Sequence, residues 1–162
     1  MLSRNLLVKL LRDLPWISDP DNQILEAQGF DTITALLTSF NRVKFPVVIL
    51  EDRSSGSVQL VEGPVDFFTQ SIWIMEQLGG EDNESEIYRH AFHLGQRHIL
   101  PILLNARSHG MCRELNRWDF RRVSYMKRWG GPNARGWEFV LSFSEDFSLL
   151  LNDEKPWPTG QR

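Results

Sequence analysis

Residues 65–76 read VDFFTQSIWIME. Side chains alternate across a strand, so Phe67, Thr69, Ser71, Trp73 and Met75 share one face and Phe68, Gln70, Ile72 and Ile74 the other. Both faces are partly apolar. That pattern predicts a long central strand, covered on both sides within one chain or packed on one side by a neighbouring subunit. Upstream, FPVVIL at 45–50 is a β-branched run that predicts a second buried strand. It ends in Glu51-Asp52-Arg53-Ser54-Ser55-Gly56-Ser57, expected to be a loop with Gly56 at positive φ, and a short strand is expected at 58–62. Downstream, WEFVLSFS at 137–144 alternates strictly, with Trp137, Phe139, Leu141 and Phe143 facing one way. FRRVSYMKR at 120–128 precedes it as a strand, and GGPNARG at 130–136 reads as the hairpin tip.

Helices flank these strands. Leu2, Leu6, Leu10 and Leu14, with Leu7 and Leu11 beside them, give an amphipathic helix over 2–13. A core-docked helix is the preferred reading over one lying on a membrane surface. Asn83 is a predicted N-cap, with Glu86 closing a capping box, for a helix over about 84–107. Pro101 is expected to kink or split that helix near 97–101. Residues 15–43 read as a short helix or irregular packed structure, and 153–162 as a frayed tail. The expected fold is therefore a single α+β domain over 1–162. One antiparallel or mixed sheet of about four to five strands packs against an N-terminal helix and one long helix.

Composition narrows the function. The 162 residues are 41% hydrophobic and 24% charged with a net charge of -3, near globular averages and unlike disordered chains. One cysteine, Cys112, excludes an internal disulfide framework and a multi-cysteine zinc site. No stretch approaches the ~20 apolar residues of a membrane span, and no signal-peptide pattern opens the chain, so the expectation is a soluble protein of a reducing cytosol.

The charge is unevenly placed. Residues 89–135 hold ten Lys and Arg, among them Arg113, Arg117, Arg121, Arg122, Lys127 and Arg128, against two acids, Glu114 and Asp119. A split of this size predicts opposed surfaces of opposite sign. The basic 107–135 region could meet an acidic surface of a second copy, formed at Glu51-Asp52 or at 81–86. Alternatively it could contact nucleic acid, with Trp118, Tyr125 and Trp129 stacking on bases, or be a solvated surface whose charges pair locally. On the 120–128 strand, however, Arg121 and Lys127 fall on one face and Arg122 and Arg128 on the other. That spreads the basic residues and weakens the nucleic-acid reading.

Sites of chemistry are weaker. Glu86, His90 and His93 fall at i, i+4 and i+7 on one helix face, a spacing that can hold a transition metal, but they match no complete metal motif. A helix-surface Glu–His pair is the simpler reading. His109 and Cys112 are close in sequence, which is not how cysteine hydrolases build their sites. GGPNARG lacks the Lys-Ser/Thr of a phosphate loop. No catalytic residue, cofactor or metal site is assigned.

The segments FPVVIL (45–50), VDFFTQSIWIME (65–76), ESEIYRHAFHLGQRHILPILL (84–104) and WEFVLSFS (137–144), in that order after a first helix, resemble the tail terminator or tail completion (head–tail neck) proteins of long-tailed bacteriophages. The family has no short diagnostic motif, and the resemblance is one of element pattern over most of 45–144. Segment 15–43 is longer than the pattern, and Pro101 interrupts its helix. The resemblance implies a phage or prophage structural protein, assembled in the bacterial cytoplasm and found in the virion tail. It implies a ring, commonly a hexamer, that ends the tail tube and joins the head connector, and arginines turned to its lumen could tolerate passing DNA. It implies neither catalysis nor a cofactor.

Overall fold

The computed structural model describes residues 4–28, 43–59, 65–105, 114–125 and 133–146. It is an α+β fold whose one mixed sheet has five strands, packed by an N-terminal helix and a long second helix. In chain order, α1 (Arg4–Arg12) and α2 (Pro20–Gln23) lead into β1 (Ile24–Ala27), β2 (Val47–Gln59) and β3 (Val65–Gln77). A 21-residue helix follows, made of α3 (Glu84–Leu94), a π-helical turn (Gly95–Ile99) and α4 (Leu100–Leu104). β4 (Glu114–Tyr125) and β5 (Ala134–Asp146) close the fold.

The strand order is β1-β2-β3-β5-β4. Only β1–β2 is parallel, with Ile24 opposite Val48 and Ala27 opposite Glu51. β3 is the central strand, as its two apolar faces require. It pairs without interruption to β5, from Val65 opposite Asp146 to Gln77 opposite Ala134.

Period-two alternation sorts the core into two layers. On one face Val48, Leu50, Ile72, Ile74, Phe139 and Leu141 meet Leu7 and Leu11 of α1 and Leu94, Ile99 and Leu103 of the long helix. On the other face lie Val47, Ile49, Trp73, Met75 and Ala134, with Leu25 and Ala27 of β1. Fully burying a side chain such as Ile72 or Phe139 contributes about 1.5–3 kcal/mol. Leu7, Leu10, Leu11 and Leu14 of the leucine stripe pack into the core, as expected, and Lys9 and Arg12 face solvent at the helix's negative end.

Several expectations need correction. The polar stretch 51–57 is not a loop: β2 runs through it to Gln59. The ladder breaks only between Glu51, opposite Ser71, and Ser55, opposite Thr69, so three residues of β2 face one of β3 in a bulge. Pairing to the long apolar strand β3 overrides the local turn composition. β4 begins at Glu114, six residues before the expected start at 120, and β5 begins at Ala134, inside the expected hairpin tip. Residues 126–128, the tip at 130–132 and the tail at 153–162 lie outside the described residues. β1 emerges from segment 15–43, where no strand was expected.

Pro101 does not split the helix. It sits in the first turn of α4, just past the π turn, where Leu100 N–H reaches back five residues to Gly95 O. The widened turn absorbs the residue with no N–H to donate. Gly95 serves a second purpose there. A Cβ on it would stand 2.3 Å from Cζ of buried Phe139, so the ring occupies the space a side chain would need. At Gly136 a Cβ would meet the Ile74 carbonyl oxygen at 1.8 Å, so only glycine fits against β3.

Gln23 fixes the entry to the sheet. Its buried side-chain oxygen accepts from the backbone N–H groups of Ser18 (2.7 Å) and Asp19 (2.8 Å). Its amide donates to the carbonyls of Trp16 (3.3 Å) and Pro46 (3.1 Å). One side chain thus ties the turn after α1 to the start of β2.

Candidate functional site

β4 carries the basic stripe, and its alternation divides the arginines as the sequence predicts. Arg121 turns to the face opposite α1 and α3 and forms an ion pair with Glu138 of β5. Glu138 has no solvent exposure and also accepts a hydrogen bond from Ser71 Oγ at 2.9 Å. One strand further, Trp73 Nε1 donates to Glu51 Oε2 at 3.0 Å. A polar tier therefore crosses the sheet from Glu51 through Trp73 and Ser71 to Glu138 and Arg121.

This corrects the expectation for Glu51. It was expected as an acidic surface residue at a strand end, but it is only 1% exposed and lies within β2. An internal hydrogen-bond donor makes such burial tolerable. Glu51 cannot supply a surface for a second copy. The side chain of Asp52 lies outside the described residues, as do Arg113, Lys127, Arg128, His109 and Cys112.

Arg122 turns to the helix face. Its guanidinium stands 4.9 Å from the Tyr88 ring centroid and 5.5 Å from that of Trp137, a cation–π arrangement. Trp137 Nε1 donates to Tyr88 O at 2.7 Å, locking α3 onto β5. Arg117 pairs with Asp119 at 2.6 Å, and both side chains are at least half exposed. Phe120, between them and Arg122, leans edge-on against Phe92 (ring centroids 5.0 Å apart) and is still 50% exposed.

The acidic surface left after Glu51 is withdrawn is the start of α3. Glu81, Asp82, Glu84 and Glu86 are all exposed there. Asn83 caps the helix as expected, accepting from Ser85 N at 3.1 Å. The Glu86 carboxylate instead lies 3.6 Å from Arg89. Carboxylates at this end are favoured by the helix dipole. Glu84 also receives Arg135 Nε at 2.5 Å, and Arg135 Nη1 donates to the carbonyls of Tyr125 and Ala134. Sequence reading assigned Arg135 to a loop and missed this clamp. Its register on β5, opposite Glu76, is visible only once the hairpin is placed.

The helix triad is not brought together. Glu86 turns to Arg89, His90 Nδ1 contacts Glu76 of β3, and the His93 ring stands 5.9 Å from that of His98. Among the described residues, no group of three or more His, Cys, Asp or Glu is placed to hold a metal ion. Burial pushes the Glu76 carboxyl above its ordinary value of 4.5, with the neighbouring His90 pulling the other way.

Some of these contacts join one element to another, as Arg121–Glu138 and Arg135–Glu84 do, and others lie within one element, as Arg117–Asp119 and Glu86–Arg89 do. They define an α+β domain with a long, exposed edge strand of mixed charge and an acidic helix start. No protein-family model and no curated protein sequence matches the chain.

Proposed function

We propose that this protein is a phage or prophage structural protein that completes the tail. Copies of it associate head to tail into a ring, a hexamer by the resemblance, that ends the tail tube and joins it to the head connector. The observation that carries the reading is the separation of unlike charge along the β4–β5 hairpin. At one end Arg135 holds the acidic start of α3 beside Tyr125, the last residue of β4. At the other end stands Arg117, exposed and paired with Asp119 on its own strand. Tyr125 lies eight residue steps beyond Arg117, about 27 Å at ~3.4 Å per residue. Surfaces of opposite sign, set apart on one protomer, are what a heterologous contact needs, and closure then follows from the rotation between neighbours.

The same residues give less support to a nucleic-acid-binding module. Arg121 is engaged by buried Glu138 and Arg122 by Tyr88 and Trp137, on opposite faces of the sheet. Neither face presents a continuous basic row for phosphates. On the proposed reading the protein performs no catalysis, and DNA passes its lumen without being read.

Addition of purified protein to growing tail tubes tests the function. Capping of one tube end and arrest of elongation are expected. Tubes that grow on unchanged, with no protein bound at either end, would refute it.

A further inference from the structure

Beside the charge at Arg117, the outer edge of β4 has a pairing property of its own. β4 is the terminal strand of the sheet, 12 residues long, and Arg117, Asp119, Phe120, Arg121, Arg122 and Ser124 along it are all exposed. A long exposed edge offers a row of backbone donors and acceptors to another strand. Phe120 is one of two large exposed hydrophobic side chains among the described residues. The charges beside it decide which strand fits.

We propose that β4 pairs antiparallel with β4 of a second copy about a two-fold axis at Phe120, joining two five-stranded sheets into one of ten strands. With the sheet faces continuous across the axis, Phe120 meets Phe120 of the second copy. Asp119 then faces Arg121, and Arg121 faces Asp119, each adding a cross-strand partner to the one it keeps within its own chain, Arg117 for Asp119 and Glu138 for Arg121. Trp118 faces Arg122, and Arg117 faces Val123. The Phe120 pair, the Asp119–Arg121 pairs and the Trp118–Arg122 pairs are each favourable across strands, and the Arg117–Val123 pairs are neutral. The neighbouring registers are worse. Moving the axis to Asp119 sets two carboxylates face to face and Arg117 against Arg121, and moving it to Arg121 opposes two guanidinium groups. Moving it to Trp118 runs the pairing across the break in the ladder between Leu115 and Arg117. The charges that repel arbitrary strands therefore select this one partner and this one register. The contact is isologous, so it does not itself close a ring. It couples two copies, or two rings face to face.

An on-axis residue meets itself, which makes the proposal directly testable. In a Cys112→Ser background, Phe120→Cys would place two thiols on strands whose opposed Cα atoms are about 4.5–5.5 Å apart, within disulfide reach. Mild oxidation is expected to give a covalent dimer from Phe120→Cys. Ser124→Cys, which is off the axis, should give at least tenfold less. Asp119→Arg, with circular dichroism unchanged, is expected to weaken dimerisation in sedimentation at least tenfold by opposing two guanidinium groups. Equal cross-linking of both cysteine variants, or none from Phe120→Cys, would overturn the proposal. Larger assemblies without the Phe120→Cys dimer would leave the ring standing and remove the β4 pair. A dimer that cross-links but never forms larger assemblies or caps tubes would do the reverse.

Discussion

Replacing Gly95 by alanine tests how the long helix is seated. In an ordinary helix interior this change stabilises by about 1 kcal/mol, because alanine loses less backbone freedom on folding. Here the sign should invert. The new Cβ would stand 2.3, 2.6 and 3.0 Å from three atoms of the Phe139 ring. Phe139 is fully buried among Phe92, Trp118 and the sheet, so the ring has little room to retreat. Overpacking of this kind costs about 1–3 kcal/mol. Gly95→Ala should therefore lower the urea midpoint at unchanged slope. Phe139→Leu should destabilise wild type but cost less, or stabilise, in the Gly95→Ala background, with a coupling of about 0.5–3 kcal/mol. Additive effects, or a Gly95→Ala protein as stable as wild type, would refute the claim that the Phe139 ring occupies the space a side chain at position 95 would need.

Further predictions follow from the polar contacts. Arg121→Ala should cost about 1–3 kcal/mol because its partner Glu138 is buried, whereas Arg117→Ala should cost at most about 0.5 kcal/mol, both ends of that pair being exposed; urea unfolding of the two variants separates them. Gln23→Ala should cost about 1–2 kcal/mol by the same assay, since it removes part-buried hydrogen bonds to backbone groups at both Ser18–Asp19 and Pro46. Asn83→Ala should lose about 1 kcal/mol with the N-cap. For Glu76 the folded carboxyl holds its proton more tightly than the unfolded one, so its contribution is full below pH 4.5 and falls as pH rises through the raised value. Relative to Glu76→Gln, wild type should thus lose stability as pH is raised from about 4 toward neutrality; a constant difference across that range would contradict the assignment.

The long elements were legible because burial imposes a period. In β3 each face is apolar, and in the C-terminal strand Trp137, Phe139 and Leu141 alternate with smaller or polar groups, so pattern and packing agree. The elements that were missed lack that redundancy. β1 is four residues long, too short for a periodic signal. The first half of β4 lies on an exposed edge, where Arg117 and Asp119 replace the apolar residues that would mark a strand. Glu51 looked like a terminator because a charge ended a hydrophobic run, yet an indole N–H two strand positions away makes its burial tolerable. Of the surfaces, the basic stripe and its alternation were readable from spacing. The Arg135–Glu84 clamp and the Gly95–Phe139 contact join residues 51 and 44 positions apart, which no local pattern encodes.

Self-association is the claim on which the functional account rests, and native mass measurement over a range of protein concentration and ionic strength tests it most directly. Assemblies at multiples of 18.9 kDa, weakened by salt and by Arg117→Glu, are predicted. A species of 18.9 kDa at every concentration and salt, in the presence of tail tubes as well as alone, would contradict it.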